Sequence, residues 1–336
     1  MAAGFAYPIR TPQWVLTYEG VNISVDISRM ALDIVYTDRV GGAASELEIA
    51  LEDHDKLWQG PWLPQQGDLA NLQIGYRGEP LLPCGDFEVD QTELDGPPDV
   101  FRIRCLSAYI TPAMRTRRSV AYEGRTPAQI AGAIAAVYGL ELLTAEAKTE
   151  VAYARITQRE ETDLEFLRRL AEEHDYEFSI RGRQLVFYPR LSLERVQPVI
   201  GLSRENVLGF AFVSKTHRTY KAAQFAYQEP SAKRLLLATV SREEVSAVSD
   251  TLKVQARCEN AAQAAIRADA ALQRANMFAM TAALKLEGST DLSAGNSVTL
   301  SGFGAHDGIY MLQSARHRLA RDSGYTTEIE ARKIGQ

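Results

Sequence analysis

The segment LSAGNSVTLSGFGAHDGIYMLQSARHRLARDSGYTTEIEARK, residues 292–333, decides the fold class of this chain. Apolar and polar residues alternate in three short runs, as they do in strands with one buried face. The dipeptide Asp307-Gly308 and the tripeptide at 322–324 separate these runs, and both are typical of tight turns. The segment therefore predicts an antiparallel β-meander.

Alternation of the same kind runs through residues 14–110. Its clearest instance is SELEIALED, residues 45–53, where Leu47, Ile49 and Leu51 point to one face and glutamates to the other. Clusters of glycine and proline separate the strands at short, regular intervals. This region predicts a small antiparallel β-barrel or sandwich.

The composition changes near residue 120, where two helices are predicted. Thr126 is the expected N-cap of the first, followed by Pro127 at the first helical position. Thr162 and Glu165 form the expected capping box of the second. A hairpin follows, so this part of the chain predicts a compact α+β unit.

A second β region follows from about residue 196 and contains an alanine-rich helix near 259–276. The predicted fold class is α+β, mainly β. Two small antiparallel β-barrel domains, 1–115 and 196–336, flank an inserted α+β domain at 116–195. The two β regions are thus a repeat of architecture without a repeat of sequence.

Composition excludes several classes of protein. The 336 residues carry 37 basic and 43 acidic side chains, mixed along the chain, for a net charge of −6. That balance argues against a specific nucleic-acid binder. No apolar run reaches the roughly 20 residues of a membrane span, and the N-terminus lacks the pattern of a secretory signal. The cysteines are few, odd in number and far apart, which favours a reducing cytoplasm: Cys84, Cys105 and Cys258.

Motifs for chemistry are scarce. No two of the five histidines have metal-binding spacing, and no nucleophile elbow or phosphate-binding loop occurs. Paired carboxylates at 52–55 and 172–175 suggest acid–base chemistry, but neighbouring residues on a helix do not face each other. We interpret both clusters as solvated ends of elements. The sequence predicts no catalytic, cofactor-binding or metal-binding residue, and no enzyme.

Two groups of residues are candidates for an interface. Trp58 and Trp62 flank a Gly-Pro turn, where they either anchor a partner or pack beneath their own loop. Arg115, Arg117 and Arg118 form the densest basic stretch, which we interpret as a solvated or interface patch.

Three stretches together resemble one protein family. QREETDLEFLRRLA, residues 158–171, fits the pattern Q-x-x-E-[ST]-D-x-x-F-L-x-R-L-A, and RTPAQIAGAIAAVYGLELL, residues 125–143, and the meander also match. They resemble the phage late control D family, the baseplate hubs of contractile tails. The family is also similar to the N-terminal part of type VI secretion spike proteins.

The resemblance implies a structural function. Such a protein is expected to be a homotrimer whose six barrels form a ring, so that it connects a sixfold tail tube to a threefold spike. The expected partners are the tail tube or a tube initiator, baseplate wedge proteins and a tape-measure protein. Because relatives fused to a spike continue beyond the barrel, the end at Gln336 leads us to expect a separate trimeric spike.

The expected location is the baseplate of a virion or tailocin assembled in the bacterial cytoplasm. The alternative is a cell-wall-binding or peptidoglycan-cleaving tail protein, since α+β modules of this size can bind glycans. A cleft with clustered aromatic side chains or a carboxylate pair would favour that alternative. The sequence leaves open whether the particle is an infectious phage or a tailocin.

Overall fold

A computed structural model describes residues 10–145, 151–215, 219–229, 234–241, 250–255 and 258–335. The strands, in chain order, are β1 Pro12–Tyr18, β2 Val21–Asn22, β3 Ala31–Arg39, β4 Glu46–Glu52, β5 Leu69–Tyr76, β6 Leu82–Asp95, β7 Val100–Ser107, β8 Arg118–Arg125, β9 Glu141–Leu143, β10 Tyr153–Glu161, β11 Tyr176–Arg181, β12 Gln184–Pro189, β13 Ile200–Ser203, β14 Val207–Ser214, β15 Ala222–Glu229, β16 Arg234–Ser241, β17 Thr251–Gln255, β18 Met280–Glu287, β19 Ser297–Ser301, β20 Gly308–Ala320 and β21 Gly324–Lys333. The α-helices of the described residues are α1 Ser24–Ile27, α2 Pro127–Val137, α3 Asp163–His174, α4 Arg190–Glu194 and α5 Ala261–Asn276. The predicted class, α+β and mainly β, is confirmed.

One large sheet contains thirteen of these strands. Eleven follow the order β14-β18-β21-β20-β3-β4-β7-β6-β5-β1-β2, and β19 pairs with β20 and β13. β20 and β3 pair antiparallel from Ser314 opposite Arg39 to Ala320 opposite Asp33. We name this contact the internal seam. It joins the two β regions, which the sequence predicted as separate domains, into one sheet. Closure of each region into a barrel stays a prediction.

The sheet contains the same four-strand arrangement twice. We name β3, β4, β6 and β7 the first quartet, and β14, β18, β20 and β21 the second quartet. When the four strands of a quartet are numbered in chain order, they lie side by side in the sheet in the order first, second, fourth, third, and this holds for both quartets. A bulge interrupts both leading strands near their starts, between Ala31 and Asp33 in β3 and between Val207 and Gly209 in β14. The two quartets are therefore structural repeats.

The third strand of each quartet extends the repeat to atomic detail. In β6, the Val89 N–H donates to the Asp68 carbonyl at 2.9 Å, and its carbonyl accepts from the Gly67 N–H at 2.9 Å. A bulge between Val89 and Gln91 follows at once. Gly67 has a φ of +92°, a conformation that glycine adopts without strain.

β20 repeats this pattern. The Leu312 N–H donates to the Asn296 carbonyl at 2.8 Å, and its carbonyl accepts from the Gly295 N–H at 2.8 Å. Gly295 has a φ of +85°, and a bulge between Leu312 and Ser314 follows. The turns Gly67-Asp68 and Gly295-Asn296 are therefore equivalent, as are the strand halves that follow the two bulges.

Each quartet covers its own apolar core. Leu47 and Leu51 of β4 are fully buried in the first core, as the alternation predicted. Leu284 of β18 and Ile329 of β21 lie in the second. The opposite parity carries exposed charged side chains such as Glu48 and Lys285 beside a few buried ones such as Val35, so each quartet has one core face and one more polar face.

The α+β unit consists of β8 to β12 with α2 and α3. The predicted capping box of Thr162 with Glu165 is present, and Thr126, the predicted N-cap, forms a second one with Gln129. The helices bury their apolar faces against the hairpin of β11 and β12, and Leu170 is fully buried there. The hydrophobic pattern and the caps thus determine this unit locally.

The predicted alanine-rich helix is α5, and it packs on a separate sheet of order β16-β15-β17. Ala264 and Ala268 are fully buried there, which allows the helix backbone to approach the sheet. Arg274 of α5 donates to the Tyr176 carbonyl at 2.7 Å and so connects this small unit to the α+β unit. The segment 196–336 therefore holds a second packing unit that the sequence did not predict.

Candidate assembly interface

β14 has an open backbone edge. Among the strands that the structure describes, only β18 pairs with it. The Lys215 N–H, just past the strand, donates to the Ala279 carbonyl at 2.7 Å. In an antiparallel pair every second residue bonds to the partner strand, so this bond shows which residues of β14 bond to β18. Val213 and Ala211 therefore bond to β18, whereas Phe212 and Ser214 direct their backbone groups to the open edge.

The side chains of this edge strand are unusually apolar for an exposed position. Leu208 is 68% exposed, Phe210 44% and Val213 46%. Unpaired N–H and carbonyl groups beside exposed apolar side chains form a template for another strand. β14 therefore has the properties of an association surface.

Aromatic rings fix this edge in place. Phe212 stacks on His306 with ring centroids 4.7 Å apart, and Phe303 lies 5.2 Å from both Phe210 and Phe212. The Arg204 guanidinium lies 4.9 Å from the centre of the Phe210 ring. The exposed edge of β14 is thus held in position by packed aromatic side chains.

A second open edge lies in β6. Its N-terminal half pairs with β5, but residues 91–95 pair with β7 alone among the described strands. These residues are exposed, and Leu94 is 49% exposed although it is apolar. β14 begins the run of eight quartet strands and β6 ends it, so the two open edges lie at opposite ends of the run.

The exposed face of the run carries opposite charges in pairs. Lys285 lies 2.8 Å from Glu328, and Arg318 lies 2.9 Å from Asp33. Exposed pairs of this kind contribute little to stability, typically about 0–1 kcal/mol. Their effect here is to neutralise the face locally, which does not favour the retention of a polyanion.

The two candidate tryptophans lie in different environments. Trp58 is buried at 5% exposure and stacks on Phe101, with ring centroids 6.0 Å apart. Trp62 is 41% exposed and meets Trp58 edge to face. Trp58 therefore packs beneath its own loop, and Trp62 is the tryptophan that a partner can reach.

The three arginines differ in the same way. Arg115 and Arg117 are exposed. Arg118 lies 2.6 Å from the fully buried carboxylate of Asp163, which also accepts from Gln158 at 2.9 Å and from the Tyr138 hydroxyl. The Asp163 ion pair raises the pKa of Arg118. Arg118 thus holds the start of α3, and only its two neighbours are available to a partner.

Two histidines are buried in the neutral form. His317 donates from Nε2 to the Leu292 carbonyl at 2.9 Å, so Nδ1 of the neutral ring accepts from the Tyr325 hydroxyl at 2.8 Å. Burial lowers the pKa of His317 to about 4, and burial likewise lowers the pKa of His174 to about 4. Among the described residues, no group of three His, Cys, Asp or Glu side chains is placed to hold a metal ion.

The acidic clusters are mostly structural, which corrects their interpretation as solvated ends. Asp53 is buried and accepts from the Trp58 N–H at 3.1 Å. Glu173 pairs with Arg267, and Asp175 lies 2.7 Å from Arg190. Carboxylates withdrawn from water need partners, which are N–H groups for Asp53 and arginines for Glu173 and Asp175.

The sequence of β14 itself indicates an unusual edge strand. The strand NVLGFAFVS is apolar on both of its faces, which is typical of a strand covered on both sides. Such a pattern in an edge strand indicates that something further covers it. The open half of β6 carries no comparable signal, because its residues are polar apart from Leu94.

No helix in the described parts of the chain has the length and apolarity needed to cross a bilayer.

Comparisons with known proteins identify the relatives of this chain. No family model matches it. The probable baseplate hub protein of Escherichia phage P2 is 33% identical over 177 residues, which are 53% of this chain and 45% of that protein. The chain thus spans less than half the length of the curated relative that it matches.

Solved structures match nearly the whole chain. The 43 kDa tail protein of prophage MuSo2 from Shewanella oneidensis superposes with a TM-score of 0.75 at 16% identity, over 96% of this chain and 98% of that one. An Escherichia coli component of the type VI secretion system superposes with a TM-score of 0.61 at 14% identity, over 96% of this chain and 77% of that one. Over about half of its length the chain is therefore similar to phage baseplate hub proteins, and it has the fold of phage tail proteins.

Proposed function

We propose that this chain is a structural baseplate hub of a contractile phage tail or tailocin. The repeated quartet is the observation that carries the proposal. One chain contains two equivalent four-strand units, so a ring of three chains contains six of them. Such a ring matches sixfold symmetry on one side and threefold symmetry on the other.

The two open edges support closure of that ring. A head-to-tail contact between unlike surfaces closes when the rotation per copy divides a full turn. β14 and the open half of β6 are unlike surfaces at opposite ends of the run of eight quartet strands. The internal seam already joins the equivalent elements within the chain, so the same geometry repeated between chains favours sixfold spacing.

The remaining surfaces suit the other partners that we propose. A separate trimeric spike is expected on one side of the ring, and a tail tube or tube initiator with the tape-measure protein on the other. The three-part division at 1–115, 116–195 and 196–336 stays a proposal, with the α+β unit outside the ring in contact with wedge proteins. Trp62, Arg115 and Arg117 are the exposed candidate residues for such contacts.

A catalytic or glycan-cleaving role has no comparable support. Of the carboxylates considered for acid–base chemistry, Asp53 accepts from a backbone N–H, and Glu173 and Asp175 are held in ion pairs. Asp55 and Glu172 are exposed. We therefore propose a non-enzymatic protein of the particle, located in the baseplate, assembled in the bacterial cytoplasm and neither anchored in a membrane nor specific for a nucleic acid.

Immunoelectron microscopy of purified tails tests the proposal. Antibody against the chain should label one end of each tail, at the baseplate. Label distributed along the tube, or label restricted to cells and missing from tails that react with antibody to another tail protein, would contradict a hub. Antibody that has been depleted with the purified chain provides the control for antibody specificity.

A further inference from the structure

The internal seam is a template for the contact between two copies of the chain. At the seam, the half of β20 that follows its bulge pairs with β3. The equivalent half of β6, residues 91–95, and the equivalent leading strand, β14, are the two open edges. Each copy thus has two open strands, β14 and residues 91–95 of β6, that are equivalent to the two strands paired in the internal seam.

The bulges fix which residues correspond. Gln91 is the first residue after the bulge in β6, as Ser314 is in β20. Gly209 is the first residue after the bulge in β14, as Asp33 is in β3. Counting from these positions, Glu93 corresponds to Arg316.

The same count makes Val213 the counterpart of Thr37. Arg316 and Thr37 are directly opposite each other in the seam. Glu93 should therefore lie opposite Val213 of the next copy. Leu94 then lies opposite Phe212. The equivalent pair in the seam is His317 opposite Tyr36.

The chemistry of the two edges agrees with this register. It brings Leu94, whose side chain is exposed, against the aromatic cluster around Phe212. Lys215 follows opposite Gln91, beside the carboxylates of the open half of β6. The backbone groups of Phe212 and Ser214 already point out of β14, as pairing in this register requires.

We propose that residues 91–95 of one copy pair antiparallel with β14 of a second copy, with Glu93 opposite Val213. This inference rests on the proposed ring and adds the surface, the partner strand and the register. Each copy in the ring therefore pairs through β14 with one neighbour and through residues 91–95 with the other neighbour.

A pair of cysteines tests the register. The Val40 N–H donates to the Gln313 carbonyl at 3.1 Å, and the Arg321 N–H to the Leu32 carbonyl at 3.0 Å. Hydrogen-bonded pairs alternate with non-hydrogen-bonded ones, so Arg316 and Thr37 form a non-hydrogen-bonded pair. In such pairs the Cα atoms lie about 4.5 Å apart, which is within the range that a disulfide spans.

The variant is therefore Glu93→Cys with Val213→Cys in the full chain, oxidised and separated on a non-reducing gel. The control is Gln91→Cys with Ala211→Cys, which uses the same strands and the same face. In the proposed register those two positions are offset by four residues, about 13 Å, which no disulfide spans. The three native cysteines are buried, so the unmodified chain serves as the background.

The expected product is a covalent trimer from the first variant and no more crosslinking from the control than from the unmodified chain. A trimer by light scattering in which only the control crosslinks would overturn the register and leave the hub intact. A ladder extending beyond three chains would contradict ring closure. A monomeric chain that forms no crosslink would overturn both the register and the proposed function.

Discussion

His317 stacks on Tyr36 across the internal seam, with ring centroids 5.8 Å apart and ring planes 17° apart. One ring comes from the second quartet and the other from the first, so this pair joins the two repeats. His317 is fully buried, and its ring nitrogens are held by Tyr325 and Leu292. Burial therefore keeps this imidazole neutral by lowering its pKa.

Stability is therefore expected to fall in mild acid. The pKa of His317 is about 4 in the folded chain against about 6.5 in an unfolded one, so between these values only the unfolded state gains the proton. This contribution is fully present above pH 6.5 and is lost as the pH falls toward 4. The slope is about 1.4 kcal/mol per pH unit at most, and the total loss is on the order of 3 kcal/mol.

Urea unfolding at several pH values measures that slope. The variant His317→Gln should show a shallower loss of stability between pH 6.5 and 4 than the unmodified chain. His54→Gln is the matched control because the His54 side chain is 70% exposed. Equal slopes in all three proteins would contradict a buried neutral His317.

Arg118 and Arg117 should differ although they are adjacent. Arg118→Ala leaves the buried carboxylate of Asp163 without its cation, and breaking a buried pair typically costs about 3–5 kcal/mol. Arg117→Ala removes an exposed side chain and should change stability by less than about 0.5 kcal/mol. Thermal unfolding of both variants provides the comparison. A destabilised Arg117→Ala or an unaffected Arg118→Ala would show that the roles are misassigned.

Trp58 and Trp62 should separate folding from binding. Trp58→Ala empties a buried site and should cost about 3–5 kcal/mol. Trp58→Phe should cost less, because the Trp58 Nε1 has no hydrogen-bond partner among the described residues. Trp62→Ala should leave the unfolding midpoint nearly unchanged and, if the loop binds a partner, reduce incorporation into tails. Loss of the fold in Trp62→Ala would show that Trp62, like Trp58, is needed for folding.

Charge at position 213 should control assembly. Val213→Glu would place a second carboxylate opposite Glu93 of the next copy, and like charges directly opposite on paired strands destabilise the pair by roughly 1 kcal/mol. Val213→Lys would place opposite charges there. Trimer dissociation, measured by light scattering on dilution, should be about five- to tenfold easier for Val213→Glu than for Val213→Lys.

A charge reversal provides the control for that comparison. Glu93→Lys combined with Val213→Glu should restore assembly, and raising the salt concentration should reduce the differences. Equal dissociation of the glutamate and lysine variants at low salt would contradict contact between these two positions.

Local patterns predicted the local structure well. The alternation in SELEIALED identified the buried face of β4, and Thr126 and Thr162 identified the starts of two helices. These features depend on neighbours within a few residues, so a short window contains the relevant physics. The resemblance to hub proteins came from three such windows: residues 125–143, residues 158–171 and the meander at 292–333.

Long-range pairing was not predictable in the same way. The seam joins residues nearly three hundred positions apart, and the alternation in β20 and β3 does not say which strands meet. The quartet repeat is likewise absent from the sequence, apart from the turns Gly67-Asp68 and Gly295-Asn296. The open edges were missed because exposure depends on which strands are left unpaired. Pairing must be known before an edge can be recognised.

The molar mass and symmetry of the purified chain test the central claim most directly. Light scattering should give three times the chain mass of 37.2 kDa, and class averages from negative-stain images should show a ring with a central hole and six similar features. A chain that stays monomeric at high concentration, even when mixed with the tube and spike proteins of its own particle, would contradict the hub assignment.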